Sequence, residues 1–334
     1  MKVVLADKNK NLLIKEVPTP KIGEEEVLIK VAYAAVNRAD LMQREGTYPP
    51  PPGCPEWLGL EVSGVIMEAG AKAAEDGAVP GAKVCALLGG GGYAEYVAVR
   101  YDMTMPVPTG CTLAEAAAMP EAFATAYLNL FIEGGLKRGD VFLMHAGASG
   151  LASVVIPMAK AFGAYVVTTI IDEDKRAIVA KTGADRIVNT KTEDIVKVLT
   201  ELDEAGTPVS LAIDCLGGEV AGKCLPHLAY MAKWIMIATL AGDLTSVDMR
   251  KLYVRNVRFV GSTLRSKPED TKAEILRLLV RNVWEKVSSG EIRPAIFRIL
   301  PIERAEEAHA LLQEGKSAGK VVLEVAGDSV ALDL

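Results

Sequence analysis

The sequence predicts an α/β fold in which a β-rich start leads into a doubly wound parallel sheet. Three observations point there. The texture of the chain changes near Thr112, strand-like and helix-like runs alternate after it, and a Gly-rich turn joins the first such strand to its helix.

The chain has 334 residues, 50% of them hydrophobic, 24% charged and 5% aromatic. Domains typically run to roughly 100–200 residues, so two are expected. The apolar mass is Val, Ile, Leu and Ala, which favours helices and buried parallel strands over an aromatic-rich sandwich. The formal charge is −6. The most basic stretch, Arg250–Arg265, alternates cations with apolar residues and reads as a solvated face, so nucleic-acid binding is not expected. Cys54, Cys85, Cys111, Cys215 and Cys224 are odd in number and widely spaced, which suits free thiols in a reducing cytosol and neither a disulfide framework nor a zinc ribbon. The start reads as a strand and not as a signal peptide. No apolar run approaches the roughly 18 residues of a membrane span. A cytoplasmic protein with no membrane partner is expected.

Up to residue 110, short β-like runs (Val27–Val31, Val62–Met67, Val84–Leu88, Tyr96–Val99) are punctuated by YPPPPG and LGGGG, as in a β-rich domain. Thr112 with Glu115 then reads as a capping box opening one helix through Phe131. Strands are predicted at Val141–His145, Tyr165–Ile171, Arg186–Asn189, Leu211–Cys215, Trp234–Thr239 and Val257–Ser262. Helices between them are predicted at Leu151–Phe162, Lys175–Thr182, Thr192–Leu202 and Gly222–Tyr230. This alternation of continuous apolar strands with helices argues for a parallel sheet covered on both faces. A helix at Thr271–Val287, a strand at Phe297–Leu300, a helix at Glu303–Gln313 and a strand at Lys320–Val325 complete the chain.

The segment VFLMHAGASGLASVVIPMAKAFGAYVVTTII carries the most chemistry. Its strand runs straight into Ala146–Ala152. Small residues let the chain turn tightly and let its backbone approach a pyrophosphate, with Gly147 and Gly150 serving the turn and the approach. The helix start then offers open N–H groups and the positive end of its dipole to the anion. With a second strand following on cue, this predicts a Rossmann-type dinucleotide site. The acid that holds the ribose 2′-OH in NAD enzymes falls on Ile170, while Lys175 and Arg176 supply charge for a 2′-phosphate. Asp172, Glu173 and Asp174 crowd the same turn and oppose that charge. NADPH is the expected cofactor, with NADH not excluded.

Blocks spread over nearly the whole chain resemble the medium-chain dehydrogenase/reductase superfamily: KEVPTPKIGEEEVLIKVAYAAVNRADLMQREGTYPPPPG, LGLEVSG, GGYAEY, AAAMPEAFATAY, HAGASG and GKVVLEV. Within it they look like the zinc-free quinone oxidoreductase branch, and NRADLMQREGTYPPPPG is similar to its p53-inducible quinone oxidoreductase subgroup. The resemblance implies a GroES-like β-rich catalytic domain, residues 1–121 completed by 265–334. A Rossmann domain, residues 122–264, is inserted into it. It also implies cofactor contacts at Asn37, Thr125, Gly147, Ser149, Gly150, Leu151, Lys175, Asn189, Thr239, Ser262, Leu264 and Lys320. Zinc-dependent members hold their metal with Cys and His. Here Asn37 stands in the place of the first Cys and Leu60 in the place of the His, so no metal is expected. Thr190, Ile171 and Asp172 depart from the branch's usual Tyr, Gly and Ser and weaken the NADP assignment. His309 reads as a surface or packing residue of its helix.

The expected reaction is hydride transfer to a quinone or similar conjugated carbonyl. The cofactor carries the chemistry, and the protein supplies binding and orientation in a cleft between the domains. Asn37 and Tyr48 are the catalytic candidates, Asn37 as an amide donor and Tyr48 as an orienting or proton-relaying phenol. Met42 replaces a second Tyr of some relatives, and Gly89–Gly92 reads as a flexible pocket wall or a plain hairpin. The alternatives are reduction of an enone or enal double bond, and a non-catalytic, crystallin-like cofactor-binding role. Relatives pair their sheets through the last strand, here Val257–Ser262, which implies a homodimer.

Overall fold

The β-rich start becomes seven strands in the computed structural model, which describes residues 1–332. They are β1 (Lys2–Ala6), β2 (Leu12–Glu16), β3 (Glu26–Val36), β4 (Glu61–Ala69), β5 (Lys83–Leu87), β6 (Tyr96–Arg100) and β7 (Thr104–Pro106). The middle supplies β8 (Val141–Met144), β9 (Tyr165–Ile170), β10 (Arg186–Asn189), β11 (Leu211–Asp214), β12 (Lys233–Met236) and β13 (Arg258–Gly261). The tail adds β14 (Ile296–Pro301) and β15 (Lys320–Glu324). Two units result. The first comprises residues 1–124, 265–290 and the chain from 294 onward; the second comprises 125–264 and 291–293.

In the first unit, one sheet runs β14-β15-β3-β4-β5-β7, with β6 also paired to β3. The long strand β3 organises it. Its EVLIKVAYAAV run is buried along almost its whole length, as a strand packed on both faces should be. β15 pairs antiparallel with β3 (Val321 opposite Val36), and β4 pairs on the other side (Val62 opposite Ala34). The end of β3 and the starts of β4 and β15 therefore lie side by side. The core includes Val31, Ala34, Val62, Ile66, Val321 and Leu323, all at most 1% exposed.

In the second unit, a parallel sheet runs β10-β9-β8-β11-β12-β13. That is the 3-2-1-4-5-6 order of a dinucleotide-binding sheet. β8 and β11 are buried at every position, which explains the unbroken apolar run of β8 and the three apolar residues that precede Asp214 in β11. Trp234 on β12 is fully buried and donates from Nε1 to Asp214 Oδ2 (3.1 Å) at the end of β11.

Prolines account for the two clearest departures from the predicted elements. The Thr112–Glu115 capping box forms (Thr112 N to Glu115 Oε2, 2.8 Å), but its helix stops at Ala117. A new helix, Pro120–Tyr127, comes next and ends in a π-helical turn, Leu128–Glu133. Proline lacks the N–H a helix interior needs and clashes with the preceding turn, yet it suits a first helical position. Likewise, the helix expected at Gly222–Tyr230 is Gly218–Cys224, and around Pro226 the chain tightens into the 3-10 turn Leu225–His227. Among the described residues, no helix is long and apolar enough to cross a membrane.

Candidate functional site

Each unit holds a polar constellation of its own. In the first unit the strand register brings Asn37, Glu61 and Lys320 together. Lys320 Nζ donates to Glu61 Oε1 and to Asn37 Oδ1, both at 2.6 Å, and Asn37 Nδ2 donates to Glu61 Oε1 at 2.9 Å. The Lys320 side chain is 4% exposed and that of Glu61 is 0% exposed. The other carboxylate oxygen of Glu61 accepts the backbone N–H of Glu121 (2.9 Å). Asn37, expected as a free amide donor, is thus committed at both ends of its side-chain amide.

Asn37 also begins the helix Arg38–Glu45, which ends at Gly46 (φ 80°) in a left-handed cap. Its N–H donates to Asp40 Oδ2 (2.7 Å), and Gly59 N donates to Asp40 Oδ1 (2.9 Å). Tyr93 O–H reaches Asp40 Oδ2 at 3.3 Å and lies 3.2 Å from His309 Nε2. Burial pushes the Asp40 carboxyl up to about 6 although both backbone donors and Lys320 favour its charged form. Burial, helped by the charge of Glu61, pushes Glu121 up to about 7. Of the two readings of His309, packing is the one the structure shows. The residue is fully buried inside its helix, and burial, with Arg44 nearby, pushes it down to about 3.

The loop bearing Tyr48 is held by Arg265, which the sequence placed on a solvated basic face. Arg265 is 5% exposed. Its Nε and Nη2 donate to Gly89 O (2.9 and 2.7 Å), its Nη1 to Tyr48 O (3.3 Å) and its Nη2 to Gln43 Oε1 (2.5 Å). Its guanidinium also sits 5.1 Å from the centre of the Tyr48 ring. The Gly89–Gly92 segment is consequently pinned rather than flexible. Trp57 Nε1 donates to Gly91 O (3.0 Å), and Gly92 N donates to Gly59 O (2.9 Å). A Cβ on Gly59 would stand 2.5 Å from Tyr93 N, so glycine is what lets these two loops touch. Met42 remains exposed.

In the second unit the candidates gather at the carboxyl ends of the parallel strands. Thr125 precedes the sheet, and Asn129 Nδ2 donates to its carbonyl (2.8 Å). After β8 the chain turns through Ala146, a non-glycine with φ 56°, a conformation costing roughly 1–2 kcal/mol. Thr169 compensates: Ala146 N donates to its Oγ1 (3.2 Å) and Gly147 N to its carbonyl (2.7 Å). A Cβ on Gly147 would stand 2.4 Å from Thr168 Oγ1, so only glycine lets the turn lie against β9. Ser149 Oγ accepts Ala152 N (3.1 Å). The amides of Gly150 and Leu151 have no hydrogen-bond partner among the described residues. Such open N–H groups at a helix start are what an anionic phosphate needs.

Lys175 and Asn189 lie after β9 and at the end of β10. Asp172 pairs with Lys191 (2.8 Å) and lies 3.9 Å from Lys175, while Glu173 pairs with Arg176 and accepts Asn189 Nδ2 (2.8 Å). These two acids of the crowded turn are thereby neutralised. Lys191 was not singled out in the sequence, because only the return of β10 beside β9 brings it there. Thr239, after β12, donates to Asp243 Oδ1 (2.6 Å). Ser262 and Leu264, after β13, are buried, and Ser262 Oγ has no hydrogen-bond partner among the described residues.

Of the residues overlooked in the sequence, Glu61 carried a signal as an acid next to an apolar strand, and Asp40 as the third helical residue after Asn37. Arg265 carried none beyond its place after Leu264. A zinc ion does not fit the Asn37 cluster. Its carboxylate and amide already surround an ammonium, and Leu60 offers no donor atom. Among the described residues, no group of three or more His, Cys, Asp or Glu side chains could hold a metal.

Residues 23–109 match the family described as alcohol dehydrogenase GroES-like domain, and residues 150–281 match the one described as zinc-binding dehydrogenase. The quinone oxidoreductase-like protein 2 homolog of Nematostella vectensis is 29% identical over 309 residues, covering 91% of this chain and 83% of that protein. A highly reducing polyketide synthase of Cordyceps militaris is 30% identical over 323 residues; the match covers 94% of this chain, which spans 12% of that protein's length. The quinone oxidoreductase from Thermus thermophilus, whose complex with NADPH is also solved, is 27% identical. It superposes with a TM-score of 0.81 over 97% of this chain and 100% of its own.

The geometry of the first unit can be tested by mutation and by pH. Glu61→Gln and Lys320→Met should each destabilise the protein by about 3–5 kcal/mol, because each strands a buried partner. The double variant should lose clearly less than their sum in denaturant titrations. On acidification, His309 (about 3 folded against 6.5 for the free side chain) binds fewer protons folded than unfolded. Its contribution to stability is therefore lost as pH falls from 6.5 towards 3. Asp40 and Glu121, raised to about 6 and about 7, act oppositely and lower stability as pH rises from about 4 to about 7. Comparing denaturation midpoints at pH 7 and pH 4, His309→Gln should lose less stability on acidification than the parent, by a few kcal/mol.

Proposed function

This chain belongs to the medium-chain dehydrogenase/reductase superfamily, in its quinone oxidoreductase branch, and from that premise we propose that it is a zinc-independent NADPH:quinone oxidoreductase. The observation that carries the reading is the turn at Gly147–Leu151, which presents open amides at the carboxyl end of a 3-2-1-4-5-6 parallel sheet.

NADPH, when bound, supplies the hydride. Gly150 and Leu151 hold its pyrophosphate through their open backbone N–H groups and the helix dipole, while Gly147 and Ser149 shape the turn. Lys175 and Lys191 face the 2′-phosphate. Their present partner, Asp172, is about half exposed, and exposed ion pairs contribute only about 0–1 kcal/mol, so a phosphate can displace it. Asn189, Thr239, Ser262 and Leu264, which follow the carboxyl ends of their strands, and Thr125, in the helix before β8, complete the cofactor contacts of this reading. Tyr48, fixed by Arg265, orients the oxygen of the acceptor. The Asn37–Glu61–Lys320 cluster keeps a buried, fully paired charge where metal-dependent relatives place zinc. Quinone reduction then needs no indispensable catalytic base, since solvent can supply both protons. The five cysteines are all free thiols, which suits a cytoplasmic setting.

One observation favours a second reading, reduction of a conjugated carbon–carbon double bond. Tyr48 is a phenol held rigidly by Arg265, and such a group could protonate an α-carbon. A panel followed at 340 nm separates the two. Tyr48→Phe should lower enone turnover by about 100-fold and leave quinone turnover within about threefold. Absence of NADPH oxidation with every quinone and enone tried would sink both readings.

The assembly we propose is a C2 homodimer through the edge strand β13. Phe259 on that strand and Tyr230, Tyr253 and Met249 elsewhere in the second unit are all more than 40% exposed, and an open edge strand invites pairing. Light scattering at micromolar concentration should give twice the 35.5 kDa chain mass; a monomer would refute the dimer.

A further inference from the structure

The charges at the ends of β9 and β10 are not equivalent. Arg176, one of the two cations expected to meet a 2′-phosphate, is engaged with three residues. It pairs with Glu173, its Nη1 donates to Ile187 O (2.8 Å), and its Nη2 lies 3.4 Å from Glu193 Oε1. Glu173 is engaged in turn, since it also accepts Asn189 Nδ2 (2.8 Å). Lys191 and Lys175 instead both meet Asp172. Lys191 Nζ donates to Asp172 Oδ1 (2.8 Å), and Lys175 Nζ lies 3.9 Å from Asp172 Oδ2.

Asp172 also stands where a ribose acceptor is wanted. A carboxylate just after the second strand of such a sheet accepts the ribose 2′-OH of NAD. The strand-matched position is the buried Ile170, and Ile171 follows, so neither offers an acceptor. Asp172 is the first side chain past β9 that can accept a hydrogen bond, and Asp174 lies two residues farther on. The hydrogen bond and charge of Lys191 hold the Asp172 carboxyl below the usual range, so it is ionised at neutral pH. Its backbone position is set by Lys175 N, which donates to Asp172 O (3.2 Å), and that of Lys191 by its own N–H, which donates to Asn189 Oδ1 (3.0 Å).

We propose that Asp172 makes this site accept NADH as well as NADPH, by taking the ribose 2′-hydroxyl of NADH and yielding its lysines to the 2′-phosphate of NADPH. The inference rests on the cofactor reading above and adds the residue that sets the preference. A 2′-phosphate brings a charge of about −1.5 to −2 at neutral pH, against the single charge of Asp172. The ion pairs it must replace are exposed and therefore weak. NADH brings no such anion, so the lysines keep Asp172 ionised and in place. Its Oδ2, with Lys175 standing 3.9 Å away, keeps lone pairs for a hydroxyl. Glu173 cannot substitute, because Arg176 and Asn189 hold it. One carboxylate thus acts in opposite directions on the two coenzymes, as an acceptor for NADH and as a competitor of the NADPH phosphate.

Calorimetric titration of the full chain with NADPH and with NADH tests the proposal. The parent should bind both saturably. Asp172→Asn should weaken NADH about tenfold and leave NADPH as tight or tighter, whereas Lys191→Met should weaken NADPH about tenfold and leave NADH within about threefold. Thermal melts establish that each variant is folded; if Asp172→Asn does not fold, Asp172→Ser takes its place. An unchanged ratio of the two affinities in either variant would overturn the proposal. So would a parent that binds NADPH and shows no saturable binding of NADH. If neither coenzyme binds the parent, the cofactor reading itself falls, and the proposal with it.

Discussion

The ion pair between Lys320 and Glu61, sealed from solvent and shared with the Asn37 amide, is the constraint around which the first unit is arranged. Two opposite charges this deeply buried are tolerated only with good geometry and with every remaining lone pair satisfied. That requirement locks three strands in register, since Lys320 opens β15, Glu61 opens β4 and Asn37 comes directly after β3. The helix from Arg38 then starts at a defined place, and the Asp40 carboxylate binds Asn37 and Gly59 together. Strand order, helix start and loop position are thus consequences of one electrostatic condition.

The same cluster occupies the place of Asn37 and Leu60 with an ammonium rather than with metal-ligating atoms. An ammonium stands among the carboxylate and amide oxygens and satisfies them with hydrogen bonds. It is fixed in place and offers no open coordination position, so it cannot act as a zinc ion does.

Strain and compensation mark the second unit. Ala146 is held at a positive φ, and Thr169 offsets the cost by bonding two successive backbone N–H groups of the turn. Outliers of this kind persist where the surroundings over-determine them, commonly at ligand sites. In the first unit Arg265 has a comparable role, converting a run of glycines and prolines into a defined wall beside Tyr48.

The sequence alone determined the α/β class, the parallel sheet and the anion-binding turn, because these arise from local periodicity and from the small residues a tight turn demands. It also placed Asn37, Tyr48 and Lys320 among the candidates through resemblance to known relatives. It missed Arg265 and left His309 open between surface and packing, since burial is a property of what packs against a residue and not of its neighbours in the chain. Pro120 and Pro226 broke helices that the apolar pattern alone carried onward. Only tertiary structure decided that a lysine near the end of the chain meets a glutamate 259 residues earlier, and that Arg265 is buried against the Tyr48 loop. Contacts across such separations are set by strand register and packing, which leave no periodic trace in the sequence.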